Sequence, residues 1–347
     1  MAHVNLPHAR VLYALDFSAW KRSAVRQCFP DAQVVFIANA AEVPACGVLA
    51  VWGLKPVDAE LATDVKILRL EDGFLRSVGL GADLIRPMSW VVDKIGIYYD
   101  ATRPSDLEDL LANTAFTPAM LARAGCLRER IVAEGLTKYN VGISYWQRSS
   151  VAKKVILVPG QVESDASLVY GAPKIHTNIG LLQAVRQANP DAYIIYKPHP
   201  DVIAGLRAQG AGEAEALGWC DEIVRDVDMG KLLMVVDEVH VLTSLAGFEA
   251  LLRGKPVTCY GQPFYSGWGL TLDVVPISRR NRQLLLDELV AGALIMYPFY
   301  LSRMSDALIT PEQALNELLA WRDKTGGAAP WWRELFRMVL RHVVGVR

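Results

Sequence analysis

The apolar run Ala192-Tyr193-Ile194-Ile195-Tyr196 stops abruptly at Lys197-Pro198-His199-Pro200-Asp201. Five strand-forming residues meet two prolines that cannot continue a hydrogen-bonded ladder. The stop displays a lysine and a histidine at the carboxyl end of a predicted β-strand. In open α/β sheets that end faces the ligand crevice. A cation and an imidazole there suit a phosphate. The plain alternative is an ordinary strand-to-loop turn.

The pattern repeats on either side. Lys154 to Val158 reads as a strand entering Pro159-Gly160-Gln161, followed by a helix over Thr177 to Asn189. Val239 to Leu242 reads as a strand ending at Thr243-Ser244, with a helix opening at Gly247. Pro256 to Tyr260 enters a Gly- and aromatic-rich loop, Gly261 to Gly269. Toward the N-terminus, Arg10 to Leu15, Gln33 to Ala38, Gly47 to Trp52 and Val65 to Leu70 read as buried strands. Helical sequence follows over Pro104 to Gly135, opened by a capping-box pattern at Ser105 and Glu108. Strands alternating with helices predict mostly parallel sheets. Tyr139 to Ser150 reads as a connection between two such series. From about Leu284 the pattern is helical, broken near Pro298, Pro311 and Pro330. The expected fold is therefore α/β, with two Rossmann-like domains facing a cleft and helices at the C-terminal end. Residues 1–140 form the first domain, 141–285 the second, and 286–347 the helices.

Composition narrows the function. The chain has 347 residues, a formal net charge of −1 and 52% hydrophobic residues. That balance argues against a nucleic-acid partner, which selects a basic surplus. Five cysteines are scattered without a CxxC, which suits a reducing cytoplasm better than a disulfide framework. No signal-peptide pattern is visible. No apolar run reaches the roughly 20 residues needed to span a bilayer. There is no Walker A loop and no GxGxxG. Asp226-Val227-Asp228 has the form of a metal-binding DxD, but an acidic turn is the commoner reading. His176 and His240 lack companions at metal-ligand spacing, and His240 reads as a packed core residue.

Three further motifs carry chemistry. Glu71-Asp72-Gly73 ends a strand. Neighbouring side chains there face opposite sides, so one carboxylate is expected in the cleft and the other in a structural role. The alternative is a solvated turn with Gly73 at positive φ. Gln161-Val162-Glu163-Ser164-Asp165 follows the first strand of the second series. A carboxylate in that position can trap an oxocarbenium ion, or it can simply cap a short helix. Thr243-Ser244 at a strand-to-helix junction suits phosphate binding, N-capping, or both.

Longer strings carry a resemblance. Glu71-Asp72-Gly73, His199-Pro200 and Thr243-Ser244, in that order, resemble the D/E-D/E-G, HP and S-S/T motifs of bacterial sialyltransferases. A closer resemblance is to the capsular-polysaccharide β-Kdo transferases of the KpsC and KpsS type, in particular the C-terminal KpsC module. It rests on EDGFLRSVGLG (Glu71 to Gly81), GIYYDATRPSDLE (Gly96 to Glu108), LVPGQVESDAS (Leu157 to Ser167), YKPHPDV (Tyr196 to Val202) and LTSLAGFEALLRGKPVTCYGQPFYSGWGLT (Leu242 to Thr271). It covers about residues 45 to 275. The resemblance implies a GT-B architecture and transfer of 3-deoxy-manno-octulosonic acid (Kdo) from CMP-β-Kdo, with retention, to a lipid-linked Kdo oligosaccharide. It implies Asp165 as nucleophile, with Gln161 in the same string. Glu71 and Asp72 supply the acidic motif, whose role in a retaining reaction stays open between acid/base work and ordering of the Arg76 loop. Lys197, His199 and Pro200 match the CMP-binding region, and Thr243 and Ser244 the phosphate-binding pair. Glu249 and Gln262, in the last string, are counted as further substrate contacts. Arg76 and Arg86 are candidates for the Kdo carboxylate. Neither a metal nor a resident cofactor is expected. The alternatives are a sialyltransferase or other CMP-nonulosonate transferase, and a non-catalytic sugar-nucleotide-binding subunit. A lipid-linked acceptor implies a cytoplasmic enzyme peripheral to the inner membrane face. Trp331 to Arg341 can form an amphipathic helix suited to that surface, with Arg333, Arg337 and Arg341 along one side.

Overall fold

Short apolar strands, each stopped by a turn residue, build two sheets in a computed structural model. It describes residues 11–57, 61–78, 86–138, 140, 144–148, 154–305 and 307–325. The first series is β1 (Val11–Leu15), α1 (Ala19–Cys28), β2 (Gln33–Ile37), β3 (Val48–Trp52), β4 (Lys66–Asp72) and β5 (Ser89–Asp93). Strands β1 to β4 pair in parallel, as the alternation predicts. Strand β5 instead returns antiparallel to β4, setting Glu71 opposite Val91 and Asp72 opposite Trp90. The reversal passes through Gly73. An added Cβ there would lie 2.6 Å from the Ser89 Oγ. Close approach therefore requires this glycine; it is not among the positive-φ positions.

Helices α2 (Asp106–Asn113) and α3 (Pro118–Ala133) follow. The Ser105 hydroxyl accepts from the Glu108 N–H at 3.1 Å, one half of the anticipated capping box. The second series is β6 (Val155–Pro159), α4 (Ala166–Gly171), α5 (Asn178–Ala188), β7 (Tyr193–Lys197), α6 (Pro200–Ile203), β8 (Glu222–Ile223), α7 (Met229–Val235), β9 (Glu238–Val241), α8 (Leu245–Leu252), β10 (Val257–Cys259) and β11 (Leu272–Asp273). All six strands are parallel, in the order β11-β10-β9-β6-β7-β8. Their near-continuous burial is what a parallel sheet covered on both faces demands.

The last segment holds α9 (Leu286–Val290), β12 (Pro298–Leu301), β13 (Leu308–Ile309) and α10 (Pro311–Thr325). It is helical as expected, but two strands interrupt the helices and return to the first sheet, whose order is β13-β12-β5-β4-β3-β1-β2. The apolar Pro298-Phe299-Tyr300-Leu301 run is fully buried against β5, and Pro298 sits at a strand start, where a missing N–H is tolerated. The predicted amphipathic segment Trp331 to Arg341 lies outside the described residues.

The two lobes pack through charge as well as apolar surface. Glu108 on α2 is buried and bonds Arg279 and Arg280 of the second lobe, the latter at 2.8 Å. Arg280 also donates to the carbonyls of Pro263 and Ser266. Phe74 of the first lobe stacks on Phe264 of the second, with ring centres 4.4 Å apart.

Candidate active site

Each sheet reverses its strand order at one point, and each reversal opens a crevice at the carboxyl ends. In the second sheet, β6 is followed by β7 on one side, while β9 lies on the other. The residues after β6 and β9 meet across this gap. The Gln161 amide donates to Thr243 Oγ1 at 3.0 Å and accepts from the Thr243 N–H at 2.9 Å. The Thr243 hydroxyl continues to Ser167 Oγ at 3.2 Å. Gln161 thus has both ends of its side chain occupied in holding the two loops at one spacing.

Asp165 is the N-cap of α4: its Oδ1 accepts from the Ser167 N–H at 2.8 Å. The side chain is exposed, and its charge acts on Glu71, Tyr98 and Tyr99 of the first lobe and on His199 of the second. Neighbouring Glu163 is instead used structurally, accepting from the Asn178 and Ala211 N–H groups.

The Lys-Pro-His-Pro stop divides its two basic groups. His199 caps α6, its Nδ1 accepting from the Asp201 N–H at 3.2 Å, and Pro200 opens the helix. That bond leaves the imidazole proton on Nε2. Burial, then the nearby Lys138 charge, holds its pKa down at about 3, so the ring is neutral near pH 7. Lys197 is 7% exposed, and its ammonium donates to the Arg225 carbonyl at 3.0 Å. Burial lowers its pKa to about 8, against the pull of Asp226 and Asp228. Asp228 itself caps α7 through the Lys231 N–H. Ser244 caps α8, accepting from the Ala246 N–H at 3.3 Å.

The first lobe brings its acidic pair to the facing rim. Asp72 Oδ2 is bonded to the buried Arg76 guanidinium at 2.6 Å, while Oδ1 is buried without a partner. Glu71 is half-buried, and its Oε1 accepts from the Asp72 N–H at 3.0 Å. Loss of water, then the adjacent Asp72 charge, raises the Glu71 pKa well above the usual carboxyl range. One carboxylate is therefore ion-paired and the other favours its proton, a division of labour that alternation along β4 anticipates. The pair has company that the strings alone did not single out. Tyr98 donates to the Asp72 carbonyl at 3.2 Å. Burial lowers the pKa of Lys21, in the first turn of α1, to about 8, against the pull of Asp72 and Glu71.

The remaining candidates lie elsewhere. Arg86 bonds Gln27, in the last turn of α1. Gln262 donates to the Pro276 carbonyl at 3.2 Å and braces that loop. Glu249 is 7% exposed on α8 and accepts from the Lys138 N–H at 2.6 Å; burial raises its pKa to about 7. It lines a small pocket between the lobes with Phe74, Thr137, Lys138 and Phe248. His240 is a buried strand residue 3.2 Å from Glu238. Among the described residues, no group of three or more His, Cys, Asp or Glu side chains is placed to hold a metal ion.

Residues 55–304 match the family model described as "Capsule polysaccharide biosynthesis protein". The chain is 44% identical over 318 residues to the capsule polysaccharide modification protein LipA of Neisseria meningitidis serogroup A, covering 89% of this chain and 45% of LipA. It thus spans about half the length of that relative. It is 40% identical over 298 residues to the lipopolysaccharide-processing protein LpsZ of Rhizobium meliloti, covering 81% of this chain and 68% of LpsZ. Among solved structures it resembles Thermosulfurimonas dismutans KpsC, beta Kdo 2,7 transferase (43% identity, TM-score 0.76, 90% of this chain and 99% of that one). It also resembles the beta Kdo 2,4 transferase of the same KpsC (32% identity, TM-score 0.77, 90% and 98%).

Proposed function

The chain belongs to the capsule polysaccharide biosynthesis protein family, and from that premise we propose that it is a retaining glycosyltransferase of GT-B architecture. It moves Kdo from CMP-β-Kdo to a lipid-linked Kdo acceptor for the capsule linker. The observation that carries this reading is the position of Asp165. Its carboxylate caps α4 at the mouth of the second sheet, within electrostatic reach of Glu71 across the cleft and of His199 beside it.

The reaction follows from those residues. An Asp165 oxygen attacks the anomeric carbon of Kdo. The bond from that carbon to the phosphate oxygen breaks, and CMP departs with the electron pair. CMP needs no strong acid to leave. His199 Nε2–H and the N-terminus of α8 at Ser244 hold its phosphate. The acceptor hydroxyl then attacks the same carbon, the bond to Asp165 breaks, and the proton passes to Glu71 in its ionised form, the form that the raised pKa makes the minor one at neutral pH. Two inversions retain the anomeric configuration.

The test is intact-protein mass spectrometry of the full chain with CMP-Kdo, and separately with CMP-sialic acid, in the absence of acceptor. A Kdo adduct on the wild type, missing in Asp165→Asn, is the expected result. An adduct only with CMP-sialic acid makes the chain a sialyltransferase. No adduct and no hydrolysis of either donor makes it a binding subunit.

Contact with the inner membrane face belongs to the same proposal, since the acceptor is lipid-linked. No helix among the described residues is long and apolar enough to cross a membrane. Co-sedimentation with anionic liposomes should weaken in a chain ending at Gly327; equal binding by both forms rules out the tail as anchor.

A further inference from the structure

Arg76 and Arg86, the sequence candidates for a Kdo carboxylate, are employed elsewhere: one pairs with Asp72 and the other bonds Gln27. Strand β4 supplies a different cation. Arg69 stands two residues before Glu71, so both side chains leave the sheet on one face, about 7 Å apart along the strand, with Leu70 and Asp72 on the other. The two meet at Gly53. Arg69 Nη1 donates to the Gly53 carbonyl at 2.8 Å. A Cβ on Gly53 would lie 3.1 Å from Glu71 Oε2 and 2.7 Å from the Tyr99 hydroxyl. A glycine at this point lets a guanidinium, a phenol and a carboxyl share one small area of the first lobe.

Arg69 is half-buried, and no ion pair among the described residues involves it. The two acids whose charges reach it are engaged by other groups. Asp93, its partner across β5, accepts from the Ile95, Gly96 and Asp106 N–H groups and from the Tyr297 hydroxyl. Asp100 accepts from Thr102 and lies 3.0 Å from Arg103 Nε. Lost water, then the Arg103 charge, disfavours the charged form of Arg69, yet a guanidinium stays protonated at neutral pH. An anion bound there offsets both effects.

We propose that Arg69 binds the carboxylate of the acceptor's terminal Kdo and so sets which hydroxyl of that sugar faces Glu71. This role rests on the glycosyl-transfer reading above. The acceptor is the sugar concerned because Arg69 shares its strand with Glu71, whereas Asp165, His199 and Ser244, which serve the donor in that reading, all belong to the second lobe. The paired N–H groups of a guanidinium match the two oxygens of a carboxylate, so the contact orients the sugar as well as holding it.

The experiment measures transfer from CMP-Kdo to two synthetic acceptors that differ in one group, the terminal Kdo carboxylate or its carboxamide. Wild type, Arg69→Gln and Arg69→Lys are compared. Wild type should use the carboxamide about ten- to a hundred-fold less well in kcat/KM. Arg69→Gln should lose about as much with the carboxylate acceptor and treat the two acceptors alike. Arg69→Lys keeps the charge without the paired donors and should discriminate to an intermediate degree. Adduct formation from CMP-Kdo without acceptor should persist in both variants and reports folding. Discrimination by Arg69→Gln equal to that of wild type overturns the role, as does a wild type indifferent to the carboxylate. Loss of the adduct in both variants also overturns it, by placing Arg69 in the donor site or in the fold. A wild type that forms no adduct overturns the underlying reading instead.

Discussion

Asp165 offers one carboxylate to two uses, a cap that the structure shows and the nucleophile that we propose. One oxygen caps α4 through Ser167, and a cap of this kind contributes about 1 kcal/mol. The other carries no hydrogen bond among the described residues. Asp165→Asn keeps a capping oxygen and removes the proposed nucleophile. Transfer should therefore fall by roughly three or more powers of ten while the thermal midpoint stays within a few degrees, and near-normal turnover would sink the assignment. His199 makes a different case. On the proposed reading its neutral ring donates one bond to the donor phosphate, so His199→Ala should weaken CMP binding about ten- to a hundred-fold by calorimetry. A neutral donor also predicts that wild-type CMP affinity carries no imidazole titration near pH 6.5. The same shift affects stability. The native pKa is about 3 against an ordinary 6.5, so between these values the unfolded chain binds more protons. Stability falls as pH drops below 6.5, and His199→Ala should flatten that fall in urea titrations at pH 5 and 7.

At the level of elements, the crevice depends on how two loops are spaced. The β6 loop and the β9 loop are joined by the Gln161–Thr243 pair and backed by Asn178, whose amide donates to the Gln161 carbonyl at 2.9 Å. Gln161→Ala leaves the Thr243 N–H without its acceptor, a cost of about 1–3 kcal/mol, and leaves the Thr243 hydroxyl only its bond to Ser167. The expected outcome is a loss of CMP affinity with adduct chemistry slowed, because α4 and α8 no longer hold their relative position. Gln161→Glu keeps an acceptor for the Thr243 N–H and should retain more affinity than Ala. If Ala binds CMP as the wild type does, the clamp has no bearing on the donor. The strings around Gln161 and Thr243 were legible as motifs. Their pairing was not, since 82 residues separate them.

For the whole molecule, the relation between lobes rests on a buried charge cluster. Glu108 faces Arg279 and Arg280, and Arg280 is 7% exposed. Removing one member of such a cluster strands a buried cation, which typically costs 3–5 kcal/mol. Glu108→Ala should therefore lower the urea midpoint strongly. The paired change Glu108→Met with Arg280→Met should recover part of the loss. A Glu108→Ala midpoint equal to wild type would show that the lobes are held by the Phe74–Phe264 contact and its apolar neighbours alone. The capping reading of Ser105 and Glu108 saw only the local half of this arrangement.

Alternation, prolines and caps are local, and they were enough to place β1 to β4, β6, β7, β9 and β10, whose ends lead to Glu71, Asp165, His199 and Thr243, but not β5, β8 or β11. They also predicted that Glu71 and Asp72 divide their duties, because neighbours on a strand face opposite sides. Long-range contacts decided the rest. The strand Pro298–Leu301, with Leu308–Ile309 beside it, pairs with β5, which lies some 200 residues earlier, a pairing that no local period encodes. Lys197 and Arg76 have the charge to meet an anion, yet the fold gives one to the Arg225 carbonyl and the other to Asp72. A side chain's type is written in the chain, but whether its charge is spent or available depends on which partners the packed interior brings within reach, and burial raises the cost of leaving any of them unpaired.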